Sequence, residues 1–592
     1  MKRFILAIFC MVVLAAPFMT QAQQGRLASL IQAGNRKAAL DTIRSGADVN
    51  EAQPDGTRPI HWAVYRVDYE LLEALIAKKA KADVRNELGS TPLSEAVKVG
   101  DSRMVKTLLD AGSGPEGVNE DGQTALMLAI KNGDLPIVQM LVNAGANVNA
   151  VEKVQDQTPL MWAAAATRNA PEMVKLLLSK GAKANARARF TDWSSQITSE
   201  PRAQYHAYGG LTPLLYAARG GCYGCVEALV SAGADVNLPT PEGLTALMIA
   251  LDNSHNDVAK FLLDRGANPH VWDLQGRTAL YIAVDKKAAP GGAAAGGRGA
   301  GPAPAGGGRG AGGQGAGGQG AAAGRGGAGG RGGGQAGPGG FGSGAVAAAR
   351  GGGPAVSSMD MINALLAAGV DPNSQLNMRR PSNQGGRFSD PLLSTGTTPL
   401  LRAMVNNDVE AARALLVKGA NPNIIGMGAS PFLLAAGANP YGGRGGGAGP
   451  APAAINTELL DLMIQHGADV NAQVTGVATY SMRIARSPSD AEGITALHAA
   501  VQAGRVDLVR FLLERGARAD IVDGSGRTPL DILSGAPGRR AATNADASGL
   551  APLNLAIPAG VRGAVAQGAR ANPAVTQEIR TLLETALQNQ KK

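Results

Sequence analysis

The chain has little of what catalysis or a single compact core needs. Of 592 residues only 3 are cysteine and 6 are histidine, aromatic residues make up 4% and charged residues 17%. Three cysteines exclude a disulfide-dense scaffold. His206, His255, His270 and His466 are scattered without metal spacing, and neither His-Glu-x-x-His nor Gly-x-Ser-x-Gly occurs. No catalytic residue, cofactor site or metal site is therefore expected. With so few aromatics, the core must come from Leu, Ile, Val and Ala, which suits thin helical layers. Beyond the first residues no apolar run approaches the ~20 residues of a bilayer-spanning helix, so no stable membrane insertion is expected of the processed chain. The net charge of +9 is too mild for a nucleic-acid footprint.

The N-terminus reads as a signal peptide, residues 1–22. Lys2 and Arg3 form a basic start, Phe4 to Ala16 is continuously apolar, and Thr20-Gln21-Ala22 puts small residues where a signal peptidase cuts. Cys10 follows Ile8 and Phe9, which are not the small residues of a lipidation site. An exported protein, periplasmic or secreted, is expected. Cys222 and Cys225 are then the two cysteines that remain. Their Cys-x-x-Cys spacing fits three readings: a structural disulfide, two unpaired thiols, or a redox or metal site.

A repeat dominates the rest. Thr91-Pro-Leu, Thr124-Ala-Leu, Thr158-Pro-Leu, Thr212-Pro-Leu, Thr245-Ala-Leu, Thr278-Ala-Leu, Thr398-Pro-Leu, Thr495-Ala-Leu and Thr528-Pro-Leu recur, several of them 33 residues apart. Gly112, Gly145, Gly233, Gly266, Gly419 and Gly516 each lie 21 residues after a Thr of this set and usually open Gly-Ala-Asp/Asn-Val-Asn. Thr is a helix N-cap and Pro at the first turn loses no hydrogen bond. The Gly takes the left-handed conformation that ends a second helix. Asp or Asn then starts a turn, and a second Gly such as Gly122, Gly243, Gly276 or Gly526 closes a hairpin finger.

Motif, period and offset together resemble the ankyrin repeat, whose period is 33 and whose signature is Thr-Pro-Leu-His-x-Ala. The resemblance implies an all-α solenoid of about 12 helix-turn-helix units with β-hairpin fingers, interrupted by disordered Gly-rich insertions. His61 and His498, in the His slot, are then structural hydrogen-bonders. Leu27 to Asn50 ends in Gly46-Ala-Asp-Val-Asn50 and reads as a capping unit.

The period breaks at definite places. Residues 26–287 form an N-terminal block with a finger insertion at 186–211, and 288–356 is a Gly/Ala-rich insertion that buries too little to fold. Its Gly-x-Gly-x-x-Gly matches around Gly310 are trivial, and Phe341 is its lone aromatic. Residues 357–536 form a C-terminal block with insertions at 374–397, 437–454 and 472–494; 537–574 is a linker and 575–592 the final helix, with Ile579 to Leu587 as its packed part. The long fingers carry Phe190, Trp193, Tyr205, His206, Tyr208, Arg379, Arg380, Phe388, Tyr480, Arg483 and Arg486, the residue types of binding hot spots, and two readings stand for them: partner binding, or loop decoration without a binding role.

The resemblance implies a protein partner held on the concave side, by finger tips and the exposed ends of first helices. By position these are Tyr65, Arg66, Lys98, Gln123, Lys131, Asn132, Arg219, Asp252, Asn253, Arg277, Asp285 and Gln502. Their mixed signs point to no simple acidic or basic partner. The expected function is a non-catalytic protein-binding scaffold. The alternatives are an envelope structural or localisation protein acting through its Gly-rich arm, and a redox protein using Cys222 and Cys225. No nucleic-acid partner is expected, and the sequence does not set the oligomeric state.

Overall fold

A computed structural model describes residues 26–191, 208–287, 353–376, 396–426, 428–437, 456–475, 492–534 and 573–590. Helices alternate between two rows. The first row holds α1 (Arg26–Gln32), α3 (Pro59–Tyr65), α5 (Pro92–Val99), α7 (Ala125–Asn132), α9 (Pro159–Ala165), α11 (Pro213–Gly220), α13 (Ala246–Asp252), α15 (Ala279–Lys287), α17 (Pro399–Val405), α19 (Pro431–Ala435), α21 (Ala496–Gln502) and α23 (Pro529–Leu533). The second holds α2 (Arg36–Arg44), α4 (Tyr69–Ala77), α6 (Ser102–Asp110), α8 (Leu135–Asn143), α10 (Ala170–Ser179), α12 (Tyr223–Ser231), α14 (Asn256–Asp264), α16 (Ser358–Ala367), α18 (Val409–Val417), α20 (Thr457–Gln465), α22 (Val506–Glu514) and α24 (Pro573–Asn589). Each first-row helix packs on the second-row helix that follows it, and the buried residues of all of them belong to one continuous core.

The caps explain why such short helices hold. Isolated helices of this length are marginal in water, so tertiary contacts and capping must carry them. Thr91, Thr124, Thr158, Thr212, Thr245, Thr398, Thr495 and Thr528 each accept a hydrogen bond from the backbone N–H three residues on. Ser430 does the same for α19. In the second row Asp68, Asp101 and Asp408 take that role. Second-row helices end on residues with φ near +90°, such as Gly145 and Gly516, where a side chain would strain the backbone. Lys79 occupies the same place with φ 64°.

Asparagine links one unit to the next. Asn149 donates from Nδ2 to the Gly181 carbonyl at 3.0 Å and accepts the Lys183 N–H at 2.9 Å. Asn185, Asn237, Asn373, Asn423 and Asn471 repeat both bonds to the following unit. Fingers are joined directly as well: Lys153 donates its N–H to Asp121, Arg189 to Gln155 and Leu274 to Glu242. The hairpins themselves are short. β1 (Phe190–Thr191) pairs antiparallel with β2 (Tyr208–Gly209), and the other fingers show single bridges such as Trp272 with Thr278.

The last helix runs from Pro573 to Asn589, and Val575 in its first turn packs against the core ahead of the buried Ile579 and Leu583. One placement differs from expectation. The end of the Gly-rich insertion, Gly353 to Val356, is placed in the structure: the Gly353 N–H reaches Asp257 Oδ2 at 3.1 Å, and Val356 packs against the core. Trp193, Tyr205, His206, Arg379, Arg380, Phe388, Tyr480, Arg483 and Arg486, with residues 1–25, 288–352 and 535–572, lie outside the described residues.

Candidate interaction surface

The exposed ends of first-row helices and the fingers that lean over them form one face. Its floor is the residue four places after each capping position: Trp62, Glu95, Leu128, Trp162, Tyr216 and Ile249 in succession. A helix turn brings the residues three and four further on to the same face. Fingers are tied to this floor by side chains. The indole N–H of Trp62 donates to Gln53 Oε1 at 2.8 Å, and Gln157 Nε2 donates to the Tyr216 hydroxyl at 2.7 Å. Burial pushes the Tyr216 phenol above its ordinary pKa, so it stays neutral.

The twelve candidate residues fare unequally. Tyr65 is 61% exposed, set edge-on to Trp62 with ring centroids 5.8 Å apart. Arg66 gives its guanidinium to the Gln32 carbonyl. Lys98 pairs with Glu95 at 2.9 Å. Asn132 is exposed but its amide donates across to the Val97 carbonyl at 3.0 Å, and Asn253 bonds its own helix at Ile249. Gln123 is half-buried and accepts from Asn119 within its finger. Asp252 lies 3.1 Å from Lys286 and 3.7 Å from Arg277, while Arg277 also pairs with the buried Asp273 at 2.7 Å. Asp285 and Arg402 are joined at 2.5 Å. Lys131, Arg219 and Gln502 are exposed; Arg219 lies 5.0 Å above the Tyr216 ring.

Several residues of this face escaped the sequence reading. Trp62, Trp162 and Tyr216 are on the floor, and Arg168 on the rim, its Cβ 2.8 Å from where a Cβ on Gly133 would stand. On the finger side Trp272 is 68% and Leu274 53% exposed. The fixed offset from the capping residue was the signal that marks the floor residues.

The other suggestive groups are buried in the stack. Cys222 and Cys225 are fully buried and joined by a disulfide, and Cys222 Sγ caps α12 by accepting the Cys225 N–H at 3.3 Å. His61 and His498 each accept the capping residue's N–H on Nδ1 and place Nε2 against a carbonyl of the next finger. Among the described residues no group of three His, Cys, Asp or Glu could hold a metal, and no helix is long and apolar enough to cross a membrane.

No curated protein matches the chain closely enough to be a relative. The family model described as ankyrin repeats (3 copies) matches residues 27–117, 95–188, 197–273, 214–290 and 452–539, and the ankyrin repeat model matches 395–426. Ankyrin repeats are generally protein–protein interaction modules. The matches take in well over half of the chain and fall on the paired helices, caps and fingers described above, so the chain belongs to the ankyrin-repeat family.

Proposed function

We propose that the protein is an exported, non-catalytic scaffold of the periplasm or cell exterior, an ankyrin stack of about 12 units that holds a protein partner on its concave face. The observation that carries this reading is the set of large side chains that the stack leaves at that face: Tyr65, 61% exposed, with Trp162 and Tyr216 half-buried along the same line. Aromatic groups that are partly dry and backed by a rigid floor are what interfaces use as anchors. Export rests on Lys2, Arg3 and the apolar run from Phe4 to Ala16.

A photocrosslinking residue in place of Ala165, on the first-row face, should capture one partner in the native host, whereas one in place of Lys175, exposed on α10, should not. Capture at Lys175 alone would move the interface to the opposite face. A phosphatase fused after residue 30 should be active outside the cytoplasm, and inactivity there would remove the export reading.

A further inference from the structure

The candidate residues look mixed in sign along the sequence, but the structure separates them. On α13, α15 and α17 every charge of the face is answered within the stack: Asp252 by Lys286 and Arg277, and Asp285 by Arg402. On α3 and α5 the cations are also engaged, Arg66 by the Gln32 carbonyl and Lys98 by Glu95. Between them lies a stretch where cations are not answered. Lys131 on α7, Arg168 after α9 and Arg219 on α11 are exposed and have no carboxylate partner among the described residues. Of the nearby acids, Asp156 pairs with Arg189 at 2.9 Å, Glu152 is buried and accepts backbone N–H groups of its own finger, and the Asp134 carboxylate lies toward Gly100, while Glu120 and Asp121 stand exposed on the flanking finger.

Where α7 and α11 present Lys131 and Arg219, α9 presents the small Ala165, followed by Ala166 and preceded by the half-buried Trp162. Packed helices stand ~8–10 Å apart, so Lys131 and Arg219, two steps apart along the row, are separated by roughly 20 Å. A peptide in the extended polyproline II conformation advances ~3.1 Å per residue with three residues per turn, so six steps cover about that span and its first, fourth and seventh side chains share one face.

We propose that the concave face between α7 and α11 binds an extended acidic segment of a partner protein, with an acidic residue at each end of a seven-residue stretch and an apolar residue at its centre. The acidic ends meet Lys131 and Arg219, with Arg168 at the rim, and the central side chain packs on Ala165 beside Trp162. A phosphodiester backbone suits the face less well, because it carries a charge every few ångströms against one cation per helix step. This inference rests on the concave-face reading above.

The test uses the full processed chain and an array of peptides of the form Glu-x-x-Leu-x-x-Glu, with Gln-x-x-Leu-x-x-Gln and Lys-x-x-Leu-x-x-Lys counterparts, alongside a 20-nucleotide oligothymidine and phosphatidylglycerol vesicles. The expected result is that acidic members bind and their Gln counterparts do not. Binding should weaken roughly threefold to thirtyfold in the Lys131→Gln/Arg219→Gln double variant, as two ion pairs of the exposed class are worth. It should also weaken at high salt. Both side chains are exposed, and an unchanged unfolding temperature confirms that the variant folds. Equal binding by Gln members, no binding by acidic ones, or preference for the oligonucleotide or vesicles overturns the acidic-segment proposal. If the partner captured at Ala165 still binds the double variant fully, the acidic assignment fails and the concave-face reading stands; capture only at Lys175 removes both.

Discussion

Lowering the pH from 7 to 5 should loosen the stack at two places, the units that hold His61 and His498. Both rings are buried, at 4% and 0% exposure. Nδ1 accepts the N–H of Arg58 at 3.1 Å in the first and of Thr495 at 3.2 Å in the second, while Nε2 faces the carbonyls of Ser90 at 3.2 Å and Arg527 at 3.0 Å. The neutral tautomer with its proton on Nε2 satisfies all four contacts; a second proton on Nδ1 would set N–H against N–H. Burial pushes both pKa values below the usual histidine range, against the weaker upward pull of the facing carbonyls.

The sign follows from linkage. The unfolded chain takes up these protons near pH ~6.5 and the native chain does not, so stability is full above that pH and falls below it. One pKa unit is worth about 1.4 kcal/mol, so at pH 5 each ring costs at most about 2 kcal/mol. The carboxylates of Asp55, Asp360 and Asp520 have their pKa values lowered by hydrogen bonds from the Thr57 backbone, the Ser357 side chain and the Arg518 guanidinium in turn, and so stay out of this window. Repeat stability is a sum of local and neighbour terms, so the losses should remain local. Hydrogen exchange read by mass spectrometry, corrected for its intrinsic pH dependence, should show faster opening in α3–α4 and α21–α22 with α9–α12 unchanged. The His61→Gln/His498→Gln variant should lose this pH response; the same response in that variant, or uniform loosening along the chain, refutes the assignment.

Three further outcomes test the scaffold. Lys79→Gly should stabilise the protein by about 0.5–1 kcal/mol in chemical unfolding, because Lys79 is exposed and holds φ 64° where glycine carries less strain; a loss of stability would show that the lysine side chain matters. Asn423→Ala removes two bonds to the next unit, both 2.8 Å, and should cost about 1 kcal/mol while faster exchange spreads to the segment around Gly467; no change would mean water replaces the bridge freely. Asp523→Ala should cost about 2–3 kcal/mol, read from the unfolding midpoint, because the buried carboxylate accepts the Ser525 and Arg527 N–H groups and pairs with the Arg527 guanidinium at 2.8 Å.

The helix pairs were legible because their determinants are local. A Thr that caps, a Pro that fits the first turn and a Gly that accepts positive φ each act within a few residues, so a fixed spacing reports them directly. The asparagine bridges were visible only as turn residues. Asn237 reaches Gly266, and Asn373 reaches Gly419, across 29 and 46 residues, and nothing local distinguishes that second duty. The recurrence of Asn at the fifth place of the Gly-Ala-Asp-Val-Asn phrase was the available sign.

The interaction face depends even more on distant pairing. Position in the repeat placed Asp285 on the concave side, but its availability is decided by Arg402, 117 residues away across the Gly-rich insertion. The charge that remains for a partner is therefore what the stack has not already used. Replacing Arg402 by Gln should return that negative charge to the face with little loss of packing, since the salt bridge is partly exposed at 15% and 22% of the two side chains. Acidic peptides held on α7 to α11 should then bind more weakly than to the unaltered chain at low salt, and the difference should shrink at high salt as the added repulsion is screened. A neutral peptide on the same surface should not notice. Equal effects on both would mean that Arg402 acts through the shape of the stack, and the separation of charge along the face would lose its physical basis.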